Sequence, residues 1–191
     1  VGKSSFARLI AGAGHYPYQG EMQLKNISTI LYSYNLERLP GWASAGAHLG
    51  KVVAAEKEGL KQELIDLFNL SALLESRFHQ LSMGQQNRVN LIRYLLQDFD
   101  LLILDESLAN VDEKRRQIII LAIKRLFPDK MFLYISHNLM EVATFCDEIL
   151  VFGSGAKGKK YVTVEGHNCS DQLALDKNLR DRKMLEIMNA F

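Results

Sequence analysis

Residues 79–112 read HQLSMGQQNRVNLIRYLLQDFDLLILDESLANVD, and their order decides the fold. Four aliphatic residues, Leu101, Leu102, Ile103 and Leu104, run into two acids, Asp105 and Glu106. A continuous apolar run suits a strand of a parallel sheet covered on both faces. A carboxylate at the C-terminal end of such a strand sits where open α/β sheets bind ligands. Taken alone, the acid pair reads equally as a plain strand end. Ahead of it, Ser82-Met83-Gly84-Gln85 heads an amphipathic run in which Val89, Ile92, Leu95 and Leu96 share one side. A hydroxyl and a bare backbone at a helix N-terminus form a cradle for an anion, and the same Ser82 serves as an N-cap.

Working outward, the chain begins VGKSS. Gly2-Lys3-Ser4-Ser5 is the close of G-x-x-x-x-G-K-[ST], the phosphate-binding loop. Glycine lets backbone N–H groups approach phosphate oxygens, Lys3 supplies a charge near the β- and γ-phosphates, and the Ser4 hydroxyl ligates Mg²⁺. The competing reading is an exposed helix start capped by serine. The first half of the motif falls ahead of Val1, so one or more strands are expected before it. Asp105 would meet Mg²⁺ opposite Ser4, and Glu106, one residue on, would orient and deprotonate a water. Ser136-His137 follows MFLYI at another strand end. An imidazole there can touch a γ-phosphate or hold Glu106 and its water; otherwise such a histidine is structural.

Between these pieces the pattern alternates. SSFARLIAG reads as a helix stopped by Gly12 and Gly14. Alternating Met22 and Leu24 suggest a short strand, and ISTILYS a second. The Pro-Gly pair in YNLERLPGWASAG marks a loop. Leu60, Leu64, Leu67 and Phe68 predict one face of a helix over about 52–70. QIIILAIKRLF reads as a buried helix, far short of the roughly 18 apolar residues of a membrane span. FDLLILD, MFLYIS and EILVFG, separated by helical runs at 113–127 and 138–145, give a βαβαβ succession and a parallel sheet. GSGAKGKK reads as a basic hairpin loop, and the tail from Ser170 as helical.

LSMGQ resembles the LSGGQ signature of the ABC (ATP-binding cassette) ATPases. The run that follows is similar to that family's signature, helix, Walker B strand and D-loop. The family's order is Walker A, Q-loop, signature, Walker B, D-loop and H-loop, and all six have a counterpart between Val1 and about Phe152. The resemblance implies a P-loop NTPase: an α/β fold with a mostly parallel sheet flanked by helices and a small helical subdomain. It divides the chain into a nucleotide-binding core (1–35 and 97–155), a helical subdomain ending in the signature (36–96) and a C-terminal extension (156–191).

The resemblance further implies ATP and Mg²⁺ as the bound groups. Gly2, Lys3, Ser4, Ser5, Asn35, Ser82, Gly84, Gln85 and Asp112 would contact nucleotide, Ser4 and Asp105 the metal, and Glu106 and His137 would be catalytic. Ser82 and Gly84 would close over ATP held by a second nucleotide-binding subunit, in a homodimer or heterodimer, with Asp112 across that interface. The aromatic residue that stacks on adenine would fall ahead of Val1. Three positions depart from the pattern. Asn35 stands for the Q-loop Gln and is one methylene shorter; Met83 replaces the signature's first Gly; Ser107 replaces the Pro after the Walker B Glu.

Composition bounds the alternatives. The chain has 191 residues, 48% hydrophobic and 24% charged, with a net charge of +1, so it can bury a core and is not a general nucleic-acid binder. Cys146 and Cys169 lack metal spacing and read as reduced thiols of a cytosolic protein. The resemblance implies the energy-coupling ATPase of a transporter, peripheral on the cytoplasmic inner face of the membrane and docked on transmembrane subunits, with no nucleic-acid partner. LERLPGWASAGAHL would form part of the docking surface, with Leu39 and Trp42 as anchors or as local core. The alternative is a soluble ABC-type ATPase acting on nucleic acid or ribosomes. Against its coiled-coil members, Ser82 lies 79 positions after Lys3 with no sustained heptads between them. A nucleotide-binding module without hydrolysis is a third class, opposed by Glu106 and His137.

Overall fold

A computed structural model describes residues 2–14, 17–35, 37–153, 161–170, 173 and 175–190. At its centre Leu101–Asp105 forms strand β2, buried along its whole length. It earns that burial from parallel neighbours on both sides, β1 (Ile30–Tyr34) and β3 (Met131–Ile135), in the order β1-β2-β3. The register pairs Tyr34 with Asp105 and Asp105 with Ile135. The three carboxyl ends therefore lie level, and Asn35, Glu106 and Ser136 leave the sheet side by side.

Strand alternation sorts the two faces. Leu101 and Ile103 join Ile135 against Ala7 of helix α1 (Lys3–Ile10). Leu102 and Leu104 point the other way into the main core. That core gathers Ala45 and Leu49 of α2 (Ala45–Gly50), Leu64 and Ile65 of α3 (Glu58–Leu67), Val89, Ile92 and Leu95 of α4 (Met83–Leu95) and Ile119 and Ile123 of α5 (Glu113–Leu126). One continuous apolar cluster thus joins the helices of 45–95 to the sheet. Fully burying each such Leu or Ile stabilises the fold by roughly 1.5–3 kcal/mol. The helical face expected from Leu60, Leu64, Leu67 and Phe68 packs here, Leu64 and Phe68 fully and the other two in part.

Several expectations are corrected. EILVF forms β4 (Glu148–Phe152), but it pairs antiparallel with β5 (Tyr161–Glu165) in a separate two-stranded sheet. One side of that pair is covered by Val142 and Ala143 of α6 (Leu139–Phe145) and Ile187 of α7 (Lys177–Met188). Leu150 on the other side is 37% exposed. The segment around Met22 and Leu24 pairs with no strand among the described residues, and both side chains are exposed; alternation without a neighbouring strand does not hold a strand. The helix expected over 52–70 is shorter, entered by a 3₁₀ turn at Ala55–Lys57. Within the expected loop, Ser44 accepts a hydrogen bond from Ala47 N at 3.1 Å and starts α2. Helix α5 is buried on one side only, Ile119 inside and Ile118 outward. Leu39 packs against the core, whereas Trp42 is 79% exposed. The basic loop expected at 153–160 lies almost wholly outside the described residues. Among those described, no helix is long and apolar enough to cross a membrane.

Candidate functional site

The site assembles at the level carboxyl ends of β1, β2 and β3 and the N-terminus of α1. Gly2 caps α1 with φ 101°, a left-handed backbone that glycine adopts freely, and its carbonyl accepts from Phe6 N. Among the described residues the amides of Lys3, Ser4 and Ser5 have no backbone acceptor, and a helix end of that kind can receive an anion with its positive dipole end behind it. Lys3 forms no ion pair among the described residues. Ser4 Oγ donates to Asp105 Oδ1 at 3.2 Å. Ser5 is exposed.

That contact follows from the pleat. Asp105 falls on the same face as Leu101 and Ile103, the α1 face, and so meets the first turn of the helix packed there. Its second oxygen accepts from the Tyr32 hydroxyl at 2.7 Å, and that hydroxyl accepts from Arg8 Nε at 3.3 Å. Burial, then the hydrogen bond to Asp105, raises the Tyr32 phenol above its ordinary value, so it holds its proton. A Ser hydroxyl and a single carboxylate are the hard oxygen donors that Mg²⁺ takes from a protein when phosphates and water complete its shell. The donor set fits that ion.

Glu106 continues from β2 with φ 53°, an uncommon left-handed backbone for a non-glycine residue. It is held there by two hydrogen bonds, Glu106 N to Ile135 O at 3.1 Å and Ala109 N to Glu106 O at 3.0 Å. The turn swings the carboxylate toward the end of β3, where Oε1 lies 2.7 Å from His137 Nε2. Both flank a cleft of about 170 Å³, also lined by Ala109, Arg116, Tyr134 and Ser136. It has room for water. A second cleft, of about 160 Å³, lies between α5, α6 and Arg180 of α7, away from the Glu106–His137 pair.

Behind the pair lies a group that sequence reading missed. Glu141 of α6, 4% exposed in its side chain, accepts from Tyr134 Oη at 2.9 Å and Ser136 Oγ at 3.3 Å. Arg116 Nε of α5 sits 2.7 Å from its other oxygen, a close ion pair, while Arg116 Nη1 donates to Leu108 O at 3.3 Å. The loop after β2 and the loop after β3 are thereby tied to one buried charge pair. Ser107, at the departure from Pro, is buried and donates to the Ser33 carbonyl at 3.0 Å, with Ser33 Oγ equally near.

Asn35 directly follows β1. Its N–H donates to the Asp105 carbonyl at 3.0 Å, which extends the β1–β2 ladder. Its side-chain oxygen accepts from Asn87 Nδ2 at 2.9 Å and Asn110 Nδ2 at 3.0 Å. The structure brings it to α4 and to the loop before α5, not to the Asp105 carboxylate. Asn87 is buried and Asn110 exposed, and neither belonged to the expected set.

Ser82, Gly84 and Gln85 form the N-terminus of α4. Ser82 Oγ accepts from Gln85 N at 3.3 Å, and Ser82 N donates to Gln85 Oε1 at 2.7 Å, a reciprocal capping box. A Cβ on Gly84 would run into the Asn110 carbonyl, so only glycine fits beside that loop. Asp112 caps α5 by accepting from Arg115 N at 3.0 Å, and that bond holds its carboxyl below the usual range.

The family model described as ABC transporter matches residues 1–109. The sn-glycerol-3-phosphate import ATP-binding protein UgpC of Jannaschia sp. (strain CCS1) is 30% identical, aligned over 81% of this chain and 49% of its own. The spermidine/putrescine import ATP-binding protein PotA of Ruegeria pomeroyi is 32% identical, over 81% of this chain and 47% of its own. The chain therefore spans about half the length of these relatives. A solved complex of archaeal ribosomal stalk protein aP1 with archaeal ribosome recycling factor aABCE1 superposes over 98% of this chain and 35% of that one, with TM-score 0.73 and 24% identity. At that identity the likeness is one of fold.

Proposed function

Since the chain belongs to the ABC transporter family, we propose that it is the ATP-hydrolysing subunit of an ABC importer. The observation that carries this is the order of contacts along one edge of the sheet: Ser4 on Asp105 at 3.2 Å and, one residue on, Glu106 on His137 at 2.7 Å. The first pair suits Mg²⁺, the second a water beside a γ-phosphate. Lys3 and the first-turn amides hold the phosphates, with Gly2 and Ser5 beside them, while Ser4 and Asp105 hold the metal. Mg²⁺ held by Ser4 and Asp105 would supply charge withdrawal from the phosphates. Glu106 polarises the attacking water, and His137 keeps the γ-phosphate and that carboxylate in register. Positioning and fixed charge do most of the work in such chemistry.

Ser82, Gly84 and Gln85 present the tip of α4 to ATP bound by a second nucleotide-binding subunit, and Asp112 lies along that interface. Among the described residues Ser82 Oγ bonds within its own helix turn, and the remaining first-turn amides of α4 are offered to a partner's phosphate. The helices of 36–96 are the docking subdomain for transmembrane subunits, on the cytoplasmic face of the membrane, with exposed Trp42 as an anchor. Import is the direction because both relatives are named for it. Residues 1–35 and 97–155 form the nucleotide-binding core, and 156–191 an extension.

Glu106→Gln tests the assignment. Steady-state hydrolysis should vanish while ATP binding is kept; unchanged turnover would remove Glu106 from the mechanism. Affinity purification from membranes separates the transporter reading from a ribosomal one: a stoichiometric multi-span protein supports the former, ribosomal subunits the latter.

A further inference from the structure

We propose that Tyr32 is a positioning residue that sets the Mg²⁺-binding face of Asp105, a proposal that rests on the Mg²⁺–ATP reading above. Asp105 presents two oxygens and the structure gives them different partners. Oδ1 accepts from Ser4 at 3.2 Å, and Oδ2 accepts from the Tyr32 hydroxyl at the shorter 2.7 Å. A neutral hydroxyl donating to a carboxylate over that distance is a strong, directional bond. It fixes the rotation of the carboxylate, so that Oδ1 stays turned toward Ser4.

The phenol is itself held from three sides. Its register partner is Ile103, two residues before Asp105 on the same face of the sheet, so the ring runs alongside the acid. The ring stacks on Tyr34, with centroids 5.7 Å apart and planes at 22°. Arg8 donates to the phenolic oxygen at 3.3 Å, which aims the phenol's own proton at Asp105. Arg8 stands four residues after Ser4, on the same face of α1. Helix α1 thus reaches Asp105 twice, directly through Ser4 and through Arg8 and Tyr32.

The test is Tyr32→Phe in the full chain, which keeps the ring and its stack and removes only the hydroxyl. ATP binding is titrated calorimetrically in EDTA, and Mg²⁺ is then titrated into the ATP-loaded chain. Tyr32→Phe should bind ATP in EDTA as the wild type does and lose about 10- to 100-fold in Mg²⁺ affinity, the loss typical of removing a group that orients a metal ligand. The near-UV tyrosine difference spectrum on adding Mg²⁺ should shrink in parallel. Tyr34→Phe, which keeps the stack, should match the wild type. If Tyr32→Phe fails to fold, Arg8→Gln gives the answer by a weaker loss of Mg²⁺ affinity in the same direction. A wild-type Mg²⁺ titration in Tyr32→Phe, or in Arg8→Gln where that variant stands in, overturns the inference and leaves the functional reading intact. A wild-type chain whose ATP binding ignores Mg²⁺ overturns both.

Discussion

Gly84 shows how one atom can set a functional surface. Its missing Cβ is what allows the carbonyl of Asn110 to lie against the tip of α4, and Asn110 in turn donates to Asn35. Gly84→Ala should push that loop away and destabilise the protein by about 1–3 kcal/mol, the usual cost of overpacking. A melting curve checks it. Asp100 makes a second prediction, about pH. The Ser28 hydroxyl and the N–H groups of Thr29 and Ser28 all donate to its carboxylate and lower its pKa from 3.8 to about 2. A depressed carboxylate stabilises the folded state above its unfolded value and loses that contribution as pH falls through the folded one. Asp100→Asn should therefore melt below the wild type at neutral pH, and the gap should close between pH 3.8 and about 2. A gap that stays constant with pH would assign the difference to shape rather than charge.

Among the elements, helix α4 tests whether a cap and a binding site can be one structure. Ser82→Ala removes half of the capping box and should cost about 0.5–2 kcal/mol of stability, whereas Ser82→Thr keeps an N-cap oxygen and should cost much less. Thermal melts of the two variants separate these outcomes. The same helix shows what a sequence makes legible. Ser82 with Gln85 three residues on is a local pattern, and local patterns can be read directly. So can β2, whose aliphatic run ends in acids, and the turn at Ser136-His137. Strand β4 could not be placed, because EILVF is as apolar as a central strand and nothing in its period says whether a partner runs parallel or antiparallel. Tyr32, Asn87 and Asn110 were equally hidden. Each meets its partner through a register or a crossing of elements far apart in sequence, 73 positions for Tyr32 and Asp105 and 52 for Asn35 and Asn87. Asn35 is expected to contact nucleotide on family likeness alone, and its side-chain oxygen here accepts from Asn87 and Asn110.

For the molecule as a whole, the sheet and the helices of 45–95 share one core, so a shift at the carboxyl ends of the strands should be felt in the helices proposed for docking. The buried Arg116–Glu141 pair fastens the loops after β2 and β3 to α5 and α6. Removing one partner of a buried pair leaves an uncompensated charge, and Glu141→Gln should cost about 3–5 kcal/mol; denaturant titration measures it. The larger claim is that this chain carries two half-sites, the Lys3–Ser4 turn and the Ser82–Gly84 helix tip, which are joined only when two copies share ATP. Sedimentation velocity of the full-length Glu106→Gln chain decides whether they are. A shared ATP requires a monomer without nucleotide and a dimer with saturating ATP and Mg²⁺; a strict monomer under both conditions would leave the half-sites unjoined and overturn the reading.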